Sequence, residues 1–308
     1  MAKSNESSLN RLQSISPVWN MLFSVFLILL GITIIVPLIL VVIISFTSAE
    51  SIAFNGYSFF PSSFTAYAYQ NLAYTGTQLL NSYLITIFYA VAGTFLTLLV
   101  TSLFSFSIAQ RKFRARRALT FFAFFTMLFS GGLVPAYIIN VTYLHLNDTV
   151  WIFLLPGLIS AWYAIMLRTF IQSSVPETLF ESAKIDGAND LLVYFRIALP
   201  LMKAGLATIG LFVLVGKWND WFTGMLYIKK ASLVPLQTLL QRIQNNLQFI
   251  KQNADFASSP EGMEMLRNLP TESMRMAITV IVTLPILFVY PYFQRYFIQG
   301  ITIGSVKG

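Results

Sequence analysis

Long apolar runs separated by short polar stretches dominate the chain. Runs of about 20 residues, the length a helix needs to cross a bilayer, fall at 18–46, 82–108, 118–140, 150–168, 204–216 extended by its flanks, and 276–293. Six transmembrane helices is the economical count, which predicts an all-α membrane protein. The first run follows a polar tail, is too long for a signal-peptide core and lacks a small-residue cleavage pattern, so it reads as a retained anchor. One further stretch has helical periodicity: Leu236, Leu239, Leu240, Ile243, Leu247 and Ile250 recur at offsets 0, 3, 4, 7, 11 and 14 behind Pro235. This predicts an amphipathic helix whose apolar stripe needs cover, either from the chain's own outer surface or from a second subunit.

Composition supports bilayer as the solvent. Hydrophobic residues make up 56% of 308 and charged residues 10%, with mean hydropathy +0.69, more apolar surface than one soluble core can hide. Basic residues then orient the spans. The N-terminal tail has Lys3 and Arg11, the first loop none, the second Arg111, Lys112, Arg114, Arg116 and Arg117, the third none, and the fourth Arg168, Lys184, Arg196 and Lys203. By the positive-inside rule both termini and the second and fourth loops face the cytoplasm. The stretch between the fifth and sixth runs, 217–275, carries seven basic residues (Lys217, Lys229, Lys230, Arg242, Lys251, Arg267 and Arg275) yet faces outside; its length is close to the roughly 60 residues beyond which the rule weakens. The chain thus divides into a cytoplasmic tail at 1–17, a six-helix domain at 18–299 with a long outer loop at 222–275, and a cytoplasmic tail at 300–308. The net charge of +8 reads as topology and lipid contact, and no basic, aromatic-interleaved cluster points to nucleic acid.

Several chemistries are missing. The interiors of the apolar runs contain no Asp, Glu, Lys or His, and the nearest charges, Lys203, Lys217 and Asp220, flank the fifth run. The sequence therefore gives no sign of an internal proton or sodium relay or of an intramembrane enzyme. There is no GxxxxGK[ST] phosphate loop, no HExxH helix and no Ser/His/Asp set. Zero cysteines rules out disulfides and thiolate metal sites. The single histidine, His145 in "YLHLNDT", reads as a turn residue rather than a metal ligand, and the sequons at Asn140 and Asn147 match by pattern only. Uphill transport would need energy from another chain.

The fourth loop, "SSVPETLFESAKIDGANDLLVYFRIALP", is the polar exception. Ser174 and Pro176 favour a helix start, with Glu177 in the first turn where the helix dipole favours an anion. This helix should end near Ile185, with Gly187 as the stop, Asn189 or Asp190 capping a second helix through Arg196, and Pro200 closing the unit. The expected product is a compact cytoplasmic elbow with small side chains at Ser182, Ala183 and Gly187, where a partner backbone can approach.

Glu181-Ser182-Ala183, Gly187 and then Ile197-x-Leu199-Pro200 resemble the EAA loop of binding-protein-dependent ABC importer permeases, here spanning 173–200, and "IDGAND" resembles their carbohydrate-transporting branch. Ser182 stands where that family more often has Ala. "WNDWF" at 218–222 and the C-terminal "YFIQGITIGSVKG" are similar to the maltose-type permease, and the long fifth loop is similar to the subgroup serving complex oligosaccharides. The resemblance implies a type I ABC importer permease fold in a bacterial plasma membrane. It implies an elbow seated in a cytoplasmic ATPase, with Glu181, Ser182, Ala183, Asp186, Gly187, Ile197 and Pro200 at the coupling positions. It also implies that the C-terminal tail, through Gly304, Val306, Lys307 and Gly308, reaches between ATPase subunits. No residue of this chain would be catalytic; ATP and magnesium would be bound by the partner ATPase, and the chain itself would hold no cofactor or metal. A second permease subunit and an extracellular or periplasmic solute-binding protein complete the expected assembly.

Sugars are held by aromatic faces and planar hydrogen-bonding groups. Trp218, Asn219, Asp220 and Trp221 offer such a set about 20 residues beyond Pro200, and are the candidate substrate-path residues. The first outer loop offers Phe54, Tyr57, Phe59, Phe60, Phe64, Tyr67, Tyr69 and Tyr74, although aromatics also collect at membrane interfaces without binding anything. Alternatives to a sugar importer subunit are an importer subunit for a polyol, glycerophosphodiester or peptide, a self-sufficient carrier or channel, and a structural membrane protein.

Overall fold

The computed structural model describes residues 16–75 and 77–305. Among these, every regular element is helical, and the only strand-like feature is an isolated antiparallel bridge between Thr47 and Phe64. Contacts divide the chain into two units, residues 1–70 with 270–280, and residues 71–269 with 281–308.

In the first unit the helix Pro17–Ser45 is apolar on all sides and only 6% of its most apolar window is buried. A helix greasy all round and uncovered by its own chain is suited to lipid or to another subunit. It stops at Phe46, whose ring lies 4.7 Å from that of Tyr69, and the Tyr69 hydroxyl hydrogen-bonds Ser45 Oγ at 2.8 Å. The Tyr57 hydroxyl donates to Glu272 at 2.6 Å, and partial burial and the neighbouring carboxylate raise its pKa. Phe54 and Phe60 are 88% and 91% exposed, so the aromatic set of the first loop splits into structural and free members.

Among the described residues three helices, Val18–Ser45, Thr77–Ala109 and Glu272–Val289, are long and apolar enough to cross a membrane, and the number rises to as many as five if two bent pairs each count as one span. The six runs of the sequence are thus not reproduced by length alone. Run 118–140 bends by 113° between Arg116–Leu128 and Leu133–Tyr143, where Gly132 takes a φ of +87°. Run 150–168 breaks at Pro156-Gly157 into Trp151–Leu154 and Ala161–Ser174. A window average is blind to such breaks, because a Gly or Pro hardly lowers mean hydropathy while removing the hydrogen bonds or φ values a helix needs. The last helix continues unbroken through Ser305, so residues 300–305, expected as a loose tail, form its final turns.

The second unit is organised by the 33-residue helix Thr77–Ala109. Its packed face is small and hydroxylated, with Ser82, Thr86, Thr97, Thr101, Ser102 and Ser105 all buried. Small residues let helices approach closely, and their hydroxyls bond locally or across the interface: Ser105 Oγ donates to the carbonyls of Thr101 and Ala164. A Cβ on Gly93 would lie 2.7 Å from Lys217 Cε, so glycine here permits the contact with the helix Lys203–Trp218.

Two apolar clusters sit along this helix. One gathers Phe106, Leu167, Ile171, Phe180, Tyr194 and Met202; the other gathers Tyr89, Phe153, Tyr227, Ile228 and Val234. In the second, the Tyr89 and Phe153 rings stack at 4.7 Å and the Lys217 ammonium donates to the Phe153 carbonyl at 3.0 Å.

The amphipathic stretch forms the helix Leu236–Gln252, with Leu236, Ile243 and Ile250 buried. Its cover is the chain itself. Thr86 Oγ1 accepts the Leu236 N–H at 2.9 Å, and Thr238 Oγ1 donates to the Trp221 carbonyl at 3.0 Å.

His145 and Asp148 both adopt positive φ, at 51° and 52°, which suits a tight turn. Asp148 Oδ1 accepts the backbone N–H groups of Lys230, at 2.9 Å, and Lys229, and these bonds hold its carboxyl below the usual carboxylate range. A depressed folded pKa contributes stability that is present above the unfolded value, about 3.9, and is lost as pH falls through the folded value. Acidification below about pH 4 is therefore expected to speed hydrogen exchange at the Lys229 and Lys230 amides in the wild type. In Asp148→Asn the same amides should exchange at a rate that does not change across this window beyond the intrinsic acid dependence.

Candidate coupling elbow

Local sequence dictates the elbow. Pro176 precedes the helix Glu177–Ile185 at its cap position, while Ser174 is the last residue of the preceding helix Ala161–Ser174 and plays no capping part. The helix ends in a Schellman arrangement. The Ala188 N–H donates to the Ala183 carbonyl at 2.9 Å and the Gly187 N–H to that of Lys184 at 3.1 Å, with Gly187 at φ +82°. Asn189 Oδ1 then accepts the Leu192 N–H at 2.8 Å, capping Asp190–Val193, and Lys184 pairs with Asp190 at 3.0 Å across the turn.

The second arm runs further than the sequence suggests. Past Val193 the chain makes a π-helical turn, Tyr194–Ala198, and a last helical piece, Leu199–Leu201, before bending by 79° into Lys203–Trp218. Pro200 lies inside this arm rather than closing it. It has no N–H to donate to the Arg196 carbonyl, and a π turn is one way for a helix to accommodate that loss.

Packing holds the elbow to the Thr77–Ala109 helix. Phe180 and Ala183 on the first arm, and Val193, Tyr194 and Ala198 on the second, join Phe106, Ala109 and Val175 in one cluster. The Phe106 ring meets Phe180 at 5.9 Å and Tyr194 at 5.4 Å, both edge to face, and the Tyr194 hydroxyl hydrogen-bonds Ser102 Oγ at 2.6 Å. Two ion pairs, Arg111 with Glu177 at 3.0 Å and Lys112 with Glu181 at 3.2 Å, tie the first arm to the 111–117 segment. Their side chains are largely exposed, so each contributes at most about 1 kcal/mol and they set register more than energy. In the sequence the basic residues of this segment read only as orientation signals. The signal of this pairing is the i, i+4 spacing of Glu177 and Glu181, which puts two carboxylates on one helix face, here opposite the Arg111-Lys112 step.

The outward face is uncovered. Ile185 is 86% exposed and Leu191 63%, Ser182, Asp186 and Gly187 are exposed beside them, and the position a Gly187 Cβ would take has no atom within 4 Å. Of the proposed coupling residues, Ala183 faces the core, Ile197 is half-buried against it, and Pro200 is exposed. An apolar rim around a turn without side-chain bulk can receive another protein's surface.

The substrate-path candidates have separate partners. Trp218 is buried, its Nε1 donating to the Val282 carbonyl at 3.1 Å and its ring edge to face with Tyr83, so it serves packing. Asn219 accepts from Gln237 at 3.1 Å, Asp220 accepts the Thr223 N–H at 3.0 Å, and Trp221 is 43% exposed. Gly304 lies in the final helix, and Val306, Lys307 and Gly308 lie outside the described residues. Among the described residues no group of three or more His, Cys, Asp or Glu is placed to hold a metal.

Residues 101–303 match the family model described as "Binding-protein-dependent transport system inner membrane component". Over 294 residues the chain is 35% identical to the polygalacturonan/rhamnogalacturonan transport system permease protein YtcP of Bacillus subtilis (strain 168), covering 94% of this chain and 99% of that one. It is 38% identical to Protein LplC of the same organism over 89% of this chain and 90% of that one. Among solved structures, a chain of a bacterial ABC transporter involved in the import of the acidic polysaccharide alginate superposes with a TM-score of 0.77 at 27% identity, covering 91% of this chain and 96% of that one.

Proposed function

The chain belongs to the family of binding-protein-dependent transport system inner membrane components, and from that premise we propose how it works. It is a multi-pass membrane permease of a sugar ABC importer. Its cargo is an oligosaccharide released from a larger polysaccharide and delivered by an extracellular binding protein. It forms half of a translocation path with a second permease of the same fold, six spans in each, and both of its termini are cytoplasmic. The elbow at 173–200 seats in a separate ATPase, which hydrolyses ATP and holds its magnesium, and closure of that ATPase rocks the permease helices.

The observation that carries this reading is the elbow itself, two short arms pinned by Phe180 and Tyr194 to the Thr77–Ala109 helix with their apolar rim left bare. A self-sufficient carrier gives such a rim no role. Tagging the chain in its native host, extracting it in mild detergent and identifying stoichiometric co-purifying proteins tests the assignment. An ATPase, a second permease and a solute-binding protein are expected; recovery of this chain alone and monodisperse would put a self-sufficient carrier in its place.

Trp221 is the exposed aromatic of the substrate-path set. Trp221→Ala is expected to raise the KM for oligosaccharide uptake by about tenfold or less, since one aromatic contact contributes about 0.5–1.5 kcal/mol, with the same proteins still co-purifying. Unchanged uptake kinetics would remove Trp221 from the path.

A further inference from the structure

Beside the elbow lies a cleft of about 460 Å³ whose polar lining includes Gln110, Arg111, Arg116, Arg168, Gln172 and Glu177. Three guanidinium groups face one carboxylate, and that carboxylate is engaged by Arg111. Among the described residues neither Arg116 nor Arg168 is in an ion pair. The Nε of Arg168 is buried with no hydrogen-bond partner, a costly state for a cationic donor unless something outside the chain accepts from it.

A second arrangement points the same way. The helix Arg116–Leu128 starts at the cleft with no acidic residue in its first turn and no side-chain cap from Ala115. Arg116 and Arg117 therefore sit at the positive end of the helix dipole, which is unfavourable unless an anion is present; the Arg116 N–H itself donates to the Phe113 carbonyl at 3.2 Å, so the guanidinium groups are what remains to be answered. Arginine forks at the positive end of a helix dipole match the oxygens of a phosphate.

We propose that this cleft binds a phosphate-bearing anion, held by Arg116 and Arg168 with Arg111 at its edge. Ala109, which lines the cleft, is the last residue of the apolar Thr77–Ala109 helix, so the site lies at the depth where a bilayer places its phosphodiesters, and basic pockets between helices at that depth bind lipid headgroups. Because Arg111 also holds Glu177 of the elbow, the bound anion ties the elbow to the membrane surface. The site does not depend on what the protein transports.

Melting of the full chain purified in lipid-free detergent provides the test. Added phosphatidylglycerol at saturation is expected to raise the melting midpoint by about 5 °C, as a ligand that binds only the folded state does, whereas phosphatidylcholine, which has no net charge, leaves it unchanged. Inorganic phosphate is the second arm: a comparable rise there, with none from phosphatidylglycerol, assigns the same cleft to a free anion. In either case Arg116→Gln and Arg168→Gln should abolish the rise. No rise with either probe, or an equal rise in the variants, overturns the proposal and leaves the arginines to an acidic side chain of a partner. Native mass spectrometry of the wild type needs no variant: selective retention of phosphatidylglycerol over phosphatidylcholine supports the lipid source, and equal retention without any phosphate shift rejects the site.

Discussion

Replacing Gly187 with aspartate is expected to cut oligosaccharide uptake by roughly tenfold or more, equivalent to about 1.4 kcal/mol of lost coupling, with the chain still inserted at wild-type amount. The choice of aspartate separates docking from folding. Gly187 stands at φ +82°, which most side chains resist, but Asp and Asn enter the left-handed region at small cost. Space inside the chain is no obstacle, because nothing lies within 4 Å of the new Cβ. The Schellman turn is therefore expected to persist under some backbone strain, and the main change is a charged side chain on the outward face. Wild-type uptake in Gly187→Asp, at equal expression, would show that nothing docks closely on that face.

The second large effect is expected at a residue no partner can touch. Tyr194 is 1% exposed, and Tyr194→Ala should remove about 3–5 kcal/mol of local packing. The Ser102 hydroxyl keeps its bond to the Leu99 carbonyl, so Tyr194→Phe should cost only about 1 kcal/mol. In Tyr194→Ala the elbow is expected to detach, becoming a site of limited proteolysis near 185–190, and the ATPase should be lost on purification. Tyr194→Phe should keep both properties near wild type. A protease-resistant elbow and a retained ATPase in Tyr194→Ala would mean that the apolar cluster does not hold it.

What could be read from the sequence follows a physical division. The elbow and the outer amphipathic helix were legible because their signals are local: Gly187 sets one backbone angle, Asn189 caps one helix, and the stripe from Leu236 to Ile250 is a single periodicity. The break at Pro156-Gly157 and the bend at Gly132 were not, because a hydropathy window sums transfer energies and contains no term for backbone geometry. The Arg111 and Glu177 pairing joins residues 66 positions apart, a distance that no local pattern bridges. Trp218 was ambiguous for another reason. An indole suits a sugar face and a packed helix interface equally, and only the position of the Val282 carbonyl decides between them.

The Thr77–Ala109 helix carries both apolar clusters on one uninterrupted rod, with Phe106 in one and Tyr89 in the other. At about 1.5 Å per residue, roughly 25 Å separates these two anchor points. The rod contains no proline and runs as one helix through Gly93. Under the proposed coupling, a push at the elbow would reach Phe106 through Phe180 and Tyr194 and would be felt at Tyr89 as leverage, where the rod meets Phe153 and the carbonyl of Lys217.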